Sequence, residues 1–291
     1  HEVEATDIKP TLTIEGSGAI QYVATWGKMG RSEIWTGLES GKTADKGVVV
    51  KPVDCVVERT SVIPSDRSKK LVALTFDEAP SKRTQEIVRI LEEKKAEATF
   101  FLAGDKAEGN TAAVKAIKNA GFEIGANAYA DKALDKMPAE ELRDELTQGF
   151  KAVKKAGGGQ TALLRPPFGE FSDQNWADAM DLVSTVVSWN VDSGDWLLKG
   201  AQQVVDTVVG SARTGNIILL TDNDEVSDQT IEALPKLIDA LRNDGFEIVS
   251  LGDLIKSDKD LAKAVSLSKV TMPKDAVLPE LPDDEAEQQM S

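Results

Sequence analysis

From Leu71 onward the chain alternates short apolar runs with amphipathic stretches of helical period, and this alternation limits the fold more than any other feature. The apolar runs cover 71–76, 98–102, 122–125, 162–165, 186–191, 216–220 and 246–249. Each has the length of a buried strand. The clearest helix between them is predicted over 138–156. Leu142, Leu146, Phe150 and Val153 share one face, and Glu140 and Glu141 sit in the first turn, where the helix dipole favours negative charge. Pro138 suits the first helical position and Gly157 a left-handed stop. A second stripe, Ile231, Leu234, Ile238 and Leu241, ends at Gly245, and Pro235 within it predicts a kink or a late start. Strand–helix alternation of this kind requires parallel strands joined by right-handed crossovers. Seven such units predict an α/β fold, a distorted (β/α)7 barrel.

The flanks read differently. Residues 1–65 are punctuated by glycines and alternate with period two at 11–15; 20–26 also favours strand. They are expected to form a small β-rich module, with Trp26 and Trp35 as packing residues. A polar linker over 65–70 leads into a large domain over 70–255. Beyond it, 256–291 is expected to be a tail, mobile and acidic at its end: residues 275–291 carry six acids and no base.

Composition excludes several functions. A net charge of −15 disfavours nucleic acid and anionic membrane surfaces as partners. No apolar run approaches a membrane span, so no membrane insertion is expected of this stretch. Cys55 is the only cysteine, so no internal disulfide forms. His1 is the only histidine and is terminal, which removes His-based triads, Cys–His dyads and ordinary multi-histidine zinc sites. Chemistry here must run on carboxylates, Arg, Lys, Tyr or an oxygen-bound metal.

The predicted strand ends are polar in a recurrent way. The first runs into Asp77-Glu78, and the third into Asn127, Tyr129 and Asp131. The fourth leads to Arg165-Pro166-Pro167-Phe168-Gly169, the fifth to Asp192-Ser193-Gly194-Asp195-Trp196, and the sixth to Thr221-Asp222-Asn223-Asp224. In a parallel barrel these loops converge on one rim. Polar loops are common everywhere, but an arginine fixed just before a rigid Pro-Pro turn is not explained by loop polarity.

Over about residues 70–255 these motifs, in this order, resemble the polysaccharide deacetylase family, the NodB-homology or carbohydrate esterase family 4 domain. The resemblance implies a distorted barrel with its site at the strand ends. It also implies a divalent metal, often zinc, that helps remove acetyl groups from chitin, peptidoglycan or xylan. Thr75-Phe76-Asp77-Glu78-Ala79-Pro80 matches the family's Thr-Phe-Asp-Asp-Gly-Pro, so Asp77 aligns with the catalytic base and Glu78 replaces a metal-binding aspartate. Arg165 aligns with the arginine that orients the base, and Asp195-Trp196 with the fourth motif. Pro166, Phe168, Trp196 and Leu220 are then expected to bind substrate. Asn127 and Asp131 stand where the family has two metal-binding histidines, and Thr221 where it has the histidine general acid.

These departures define the functional expectation. A hydroxyl cannot replace an imidazolium as an acid near neutral pH, and an amide is a poor zinc ligand. The leading reading is a degenerate member that binds acetylated glycan of the cell envelope and has lost zinc-dependent hydrolysis of the N-acetyl (carbon–nitrogen) bond. No cofactor is expected on that reading. A second reading keeps hydrolysis, with Asp77, Glu78, Asp131 and Asp222 offering oxygens to Ca²⁺, Mg²⁺ or Mn²⁺ and Asp195, its pKa raised, as the catalytic acid beside Asp77 and Arg165. A third pairs Asp77 with Asp192 or Asp195 as a glycosidase. The family's members work outside the membrane, so an extracellular or envelope location is expected, with a leader removed before His1.

Overall fold

The computed structural model describes residues 1–281. Six strands come first: β1 (Glu2–Ile8), β2 (Leu12–Gly16), β3 (Ile20–Thr25), β4 (Gly30–Thr36), β5 (Thr43–Val50) and β6 (Cys55–Thr60). The alternating region follows with β7 (Leu71–Ala79), α1 (Thr84–Lys94), β8 (Thr99–Leu102), α2 (Gly104–Gly109), α3 (Thr111–Asn119), β9 (Glu123–Ala126), α4 (Ala139–Val153), β10 (Leu163–Leu164), α5 (Asp173–Ala179) and β11 (Thr185–Val187). It ends with β12 (Val191–Asp192), α6 (Ala201–Ser211), β13 (Asn216–Thr221), α7 (Ser227–Asn243), β14 (Glu247–Val249), α8 (Leu251–Ser257) and α9 (Lys259–Ala264).

The predicted (β/α) barrel is present. Strands run in the order β12-β13-β7-β8-β9-β10-β11, every neighbouring pair parallel. β14 pairs with the first residues of β7. The strand expected over 186–191 is two strands at opposite ends of this run, and the Ser188-Trp189-Asn190 link between them crosses the gap where a closed barrel would be joined. The link's backbone groups still find partners. Ser188 N donates to Ala19 O, Asn190 N donates to Ile217 O, and the carbonyls of Val187 and Ser188 accept from Arg165. β3 takes the outer edge of β11 in antiparallel register, Val187 opposite Ile20 and Thr185 opposite Tyr22.

The first 65 residues therefore do not stand apart as a single module. β3, β6 and β2 extend the barrel's own sheet, and β1, β4 and β5 form a separate three-stranded sheet. Residues 275–280, read as the start of a mobile tail, lie along this region: Val277 bridges to Gly27 and Glu280 N donates to Pro10 O. The rest of the acidic stretch, 282–291, is outside the described residues.

Period-two alternation sorts each strand between two faces. Val72, Leu74 and Phe76 of β7, Phe100 and Leu102 of β8, and Ile218 and Leu220 of β13 face outward into one core shared with α1, α3, α6 and α7. Leu71, Ala73, Phe101, Leu163, Val187 and Ile217 belong to a second core with Ile20, Tyr22 and α8. α8 plugs the amino end of the barrel: Leu251 N donates to Thr99 Oγ1 and Gly252 N to Glu123 Oε2. The predicted 138–156 helix is α4 followed by a wider turn that ends where Gly157 adopts φ 103°. α7 neither starts late nor breaks at Pro235, but runs through it from Ser227 to Asn243.

Trp176 of α5 joins the barrel to its extension. It is fully buried, meets Phe171 edge-on at 5.3 Å, and donates from Nε1 to Gln21 Oε1 at 2.9 Å. Trp176→Ala is expected to lower the unfolding free energy in urea by about 3–5 kcal/mol, through the cavity it leaves. Trp176→Phe keeps most of the volume and orphans Gln21, so its loss is expected at about 1–3 kcal/mol.

Candidate active site

Where the strands end, inward-facing positions become polar. Thr75 and Asp77 of β7, Arg165 after β10 and Thr221 of β13 follow the alternation that puts Leu71, Ala73, Leu163 and Ile217 below them, and Asn127 comes two residues after Gly125 of β9. Arg165 lies at the centre. Its side chain is 0% exposed and its guanidinium sits 4.3 Å from the Phe101 ring. It donates to Asp77 Oδ1 at 2.7 Å, Thr75 Oγ1 at 2.8 Å, Ser188 O at 3.0 Å and Val187 O at 3.2 Å. Burial pushes the Asp77 carboxyl up to about 6, with Glu78 and Asp195 adding to the rise and Arg165 opposing it. The Arg165 guanidinium thus fixes the direction of the Asp77 carboxyl.

Glu78 departs from the alternation. The β7–β8 register shifts between Phe76 and Ala79, and Glu78 takes φ 63°. A bulge of this kind re-aims a side chain, and here it brings Glu78 to the rim beside Asp77. Glu78 Oε2 accepts from Asn223 Nδ2 at 2.9 Å and lies 3.7 Å from Lys106 Nζ. The buried Asn127 amide is engaged at both ends: Oδ1 accepts from Glu78 N at 3.3 Å and Nδ2 donates to Arg165 O at 2.7 Å. One partner is a donor and the other an acceptor, which determines the amide's orientation. Asp131 is exposed, its carboxyl pushed up by partial burial and by the Glu78 charge.

The resemblance implies a divalent cation at positions 78, 127 and 131, and the residues there do not fit one. The Asn127 oxygen already accepts from Glu78 N, and a neutral amide oxygen is a poor zinc ligand beside the imidazole it replaces. Among the described residues no group of three His, Cys, Asp or Glu is arranged to hold a metal ion. The oxygen set Asp77, Glu78, Asp131 and Asp222 is not assembled either. Asp222 is buried behind the rim, where Ser81, Thr84 and Ser227 donate to it.

Asp195 and Thr221 are brought together, but not as an acid facing a ligand. Asp195 is 0% exposed and accepts from Thr221 N at 2.7 Å, Thr230 Oγ1 at 2.8 Å and Thr221 Oγ1 at 3.0 Å. The residue expected as the catalytic acid is thus enclosed by Thr221 and Thr230. Enclosure also removes it from a glycosidase pair, and Asp192 is bound to Gly194 N and Trp196 Nε1. Of the expected substrate-binding residues, Phe168 and Trp196 are exposed at 64% and 54%. Pro166 is buried. Leu220 alternates to the helix side and is 1% exposed, so it cannot touch a ligand.

Beside Glu78 opens a cavity of about 580 Å³, lined also by Lys106, Asp131, Asn223, Ser81 and Asn110. Asn223 belongs to the polar ending expected after the sixth strand, whereas Lys106 was not anticipated. Lys106 follows the second strand, whose polar ending Asp105-Lys106 was the available signal.

The Asp77 environment has a consequence for stability. Its pKa in the folded protein, about 6, exceeds the ordinary 3.8, so folding takes up a proton at this group between those values. The stability it contributes is complete below the ordinary value and is lost as pH rises through about 6. The urea midpoint of the native protein minus that of Asp77→Asn is expected to fall across this interval and to be flat above about pH 7.

Comparison with known proteins agrees with the geometry. The polysaccharide deacetylase family profile matches residues 65–187. A peptidoglycan-N-acetylglucosamine deacetylase of Bacillus cereus is 33% identical over 196 residues, covering 65% of this chain and 90% of that protein. A bifunctional xylanase/deacetylase of Pseudobutyrivibrio xylanivorans is 33% identical over 193 residues, 65% of this chain but 31% of that protein, so the chain spans under a third of its length. Among solved structures, T48 deacetylase with substrate superposes with a TM-score of 0.62 at 28% identity, covering 70% of this chain and 98% of that one. With a barrel whose rim carries the Asp77–Arg165 pair, the chain belongs to the polysaccharide deacetylase family.

Proposed function

We propose that the protein binds acetylated glycan of peptidoglycan or chitin type at the cell envelope and has lost the zinc-dependent deacetylation of its relatives. The observation that carries this reading is the engagement of Asn127, whose amide bridges Glu78 N and Arg165 O at the position of a metal ligand. Metal-assisted deacetylation needs a Lewis acid, a base for the water and an acid for the leaving amine. Asp77 held by Arg165 retains the geometry of the base. At the acid's position Thr221 donates its hydroxyl proton to the buried Asp195. A hydroxyl cannot protonate an amine near neutral pH. The exposed rings of Phe168 and Trp196 support sugar binding, since an apolar ring face beside polar groups suits a pyranose. The relatives' names support acetylated glycan as the ligand class.

A second reading, hydrolysis with a rebuilt site, is favoured by one observation. The Asp77 carboxyl at about 6 lies close to the range in which a general base works at neutral pH.

Acetate release from acetylated chitooligosaccharides and peptidoglycan fragments separates the two, with chelator and then with Zn²⁺, Co²⁺, Mn²⁺, Mg²⁺ and Ca²⁺ added singly. No release is expected under any condition. Calorimetry is expected to detect chitooligosaccharide binding that weakens about tenfold in Trp196→Ala, one ring contact's worth. Metal-dependent release that vanishes in Asp77→Asn would overturn the binding-only reading.

A further inference from the structure

We infer that the ammonium of Lys106 is the resident cation of this site, a fixed positive charge standing in for the divalent metal. The inference rests on the reading that the metal site of the relatives is gone here. Lys106 Nζ donates to the Glu78 carbonyl at 3.3 Å and lies 3.7 Å from Glu78 Oε2. The residues at the two outer metal positions, 78 and 131, line the same cavity as this ammonium. The cavity they share is otherwise rich in acid, lined also by Asp224 and Glu225, and its other lysine, Lys82, pairs with Asp224.

Lys106 is placed by the backbone rather than by chance on a flexible arm. Ala103 N donates to Ala79 O, which ties the start of α2 to the end of β7 beside Glu78. Gly104 N and Asp105 N donate to Ala128 O and Tyr129 O, which tie the same turn to the segment carrying Asn127 and Asp131. A Cβ at Gly104 would lie 2.7 Å from the Tyr129 ring, so the approach of α2 to that segment depends on glycine there. The lysine is therefore anchored to both segments that carry the former ligand positions. With its side chain 34% exposed, it faces the cavity as well as Glu78. An ammonium has three donor hydrogens and no ligand-exchange chemistry. It presents hydrogen bonds to a carbonyl or hydroxyl oxygen of a bound sugar where a metal would present an open coordination position.

The experiment measures divalent cation binding without any activity readout. Zinc content after equilibrium dialysis, and the thermal midpoint with Zn²⁺ or with chelator, are compared for the native protein, Lys106→Met, Lys106→Arg and Lys106→Met combined with Asp131→Asn. The native protein and Lys106→Arg are expected to hold no stoichiometric zinc and to show no shift. Lys106→Met leaves Glu78 and Asp131 without a counter-charge, and is expected to gain zinc-dependent stabilisation of about 3 °C that Asp131→Asn abolishes. If Lys106→Met responds to zinc no more than the native protein, Lys106 is not the resident cation, while the loss of the metal site stands. If the native protein itself holds one zinc that Asp131→Asn releases, both the inference and the reading beneath it fall. Should Lys106→Met be too unstable to purify, Lys106→Gln takes its place with the same expected gain, and a zinc response in Lys106→Arg equal to that of Lys106→Gln would overturn the inference.

Discussion

The buried guanidinium of Arg165 is the contact on which the rest of this structure depends. The barrel does not close by strand pairing: β11 and β12 lie at opposite ends of the parallel run. The link between them carries backbone carbonyls into the interior, where an unpaired polar group is costly. Arg165 accepts that role at Val187 and Ser188, and with its remaining donors holds Thr75 and Asp77 on β7. One side chain thereby satisfies the gap, neutralises a buried carboxylate and sets its direction. A lysine could not do this, because the contacts fan out from a planar fork.

Around that centre the rim is built from hydrogen bonds among its own members. Asn127 connects Arg165 to Glu78, Thr221 and Thr230 surround Asp195, and three hydroxyls surround Asp222. Each buried carboxylate has burial raising its pKa and donors opposing the rise. Such a network stabilises a fixed shape, but it leaves few lone pairs for an incoming ion. What faces outward is the cavity beside Glu78 and the exposed rings of Phe168 and Trp196.

Much of the fold was legible from periodicity because strands and helices bury different repeats. The runs at 71–76 and 98–102 became β7 and β8, and the stripe through Leu142, Leu146 and Phe150 became α4. Periodicity misled where one apolar run served two strands. Ser188-Trp189-Asn190 reads as strand in local terms, yet its backbone bonds go to Ala19, Arg165 and Ile217 instead of to one ladder. The first 65 residues were legible as strands but not as part of the barrel's sheet, since edge pairing between Val187 and Ile20 is a long-range contact. At the site, Asp77 and Arg165 were readable from their motifs. Leu220 was misplaced for want of knowing which face of β13 looks inward, and Lys106 was passed over because its partner Glu78 is 28 residues away.

By itself the sequence determined the strand–helix alternation, the residues at the strand ends, and the absence of any internal histidine that could ligate a metal or donate a proton. Those are properties of residue type and spacing, and packing cannot alter them. Tertiary structure alone decided how the remaining polar groups are used. Whether Asn127 points at a cavity or bridges two backbones, whether Asp195 faces a ligand or is enclosed, and which charge lies beside Glu78 all depend on hydrogen bonds between segments far apart in the chain. Buried polar groups must find partners, and the fold determines which partners are within reach.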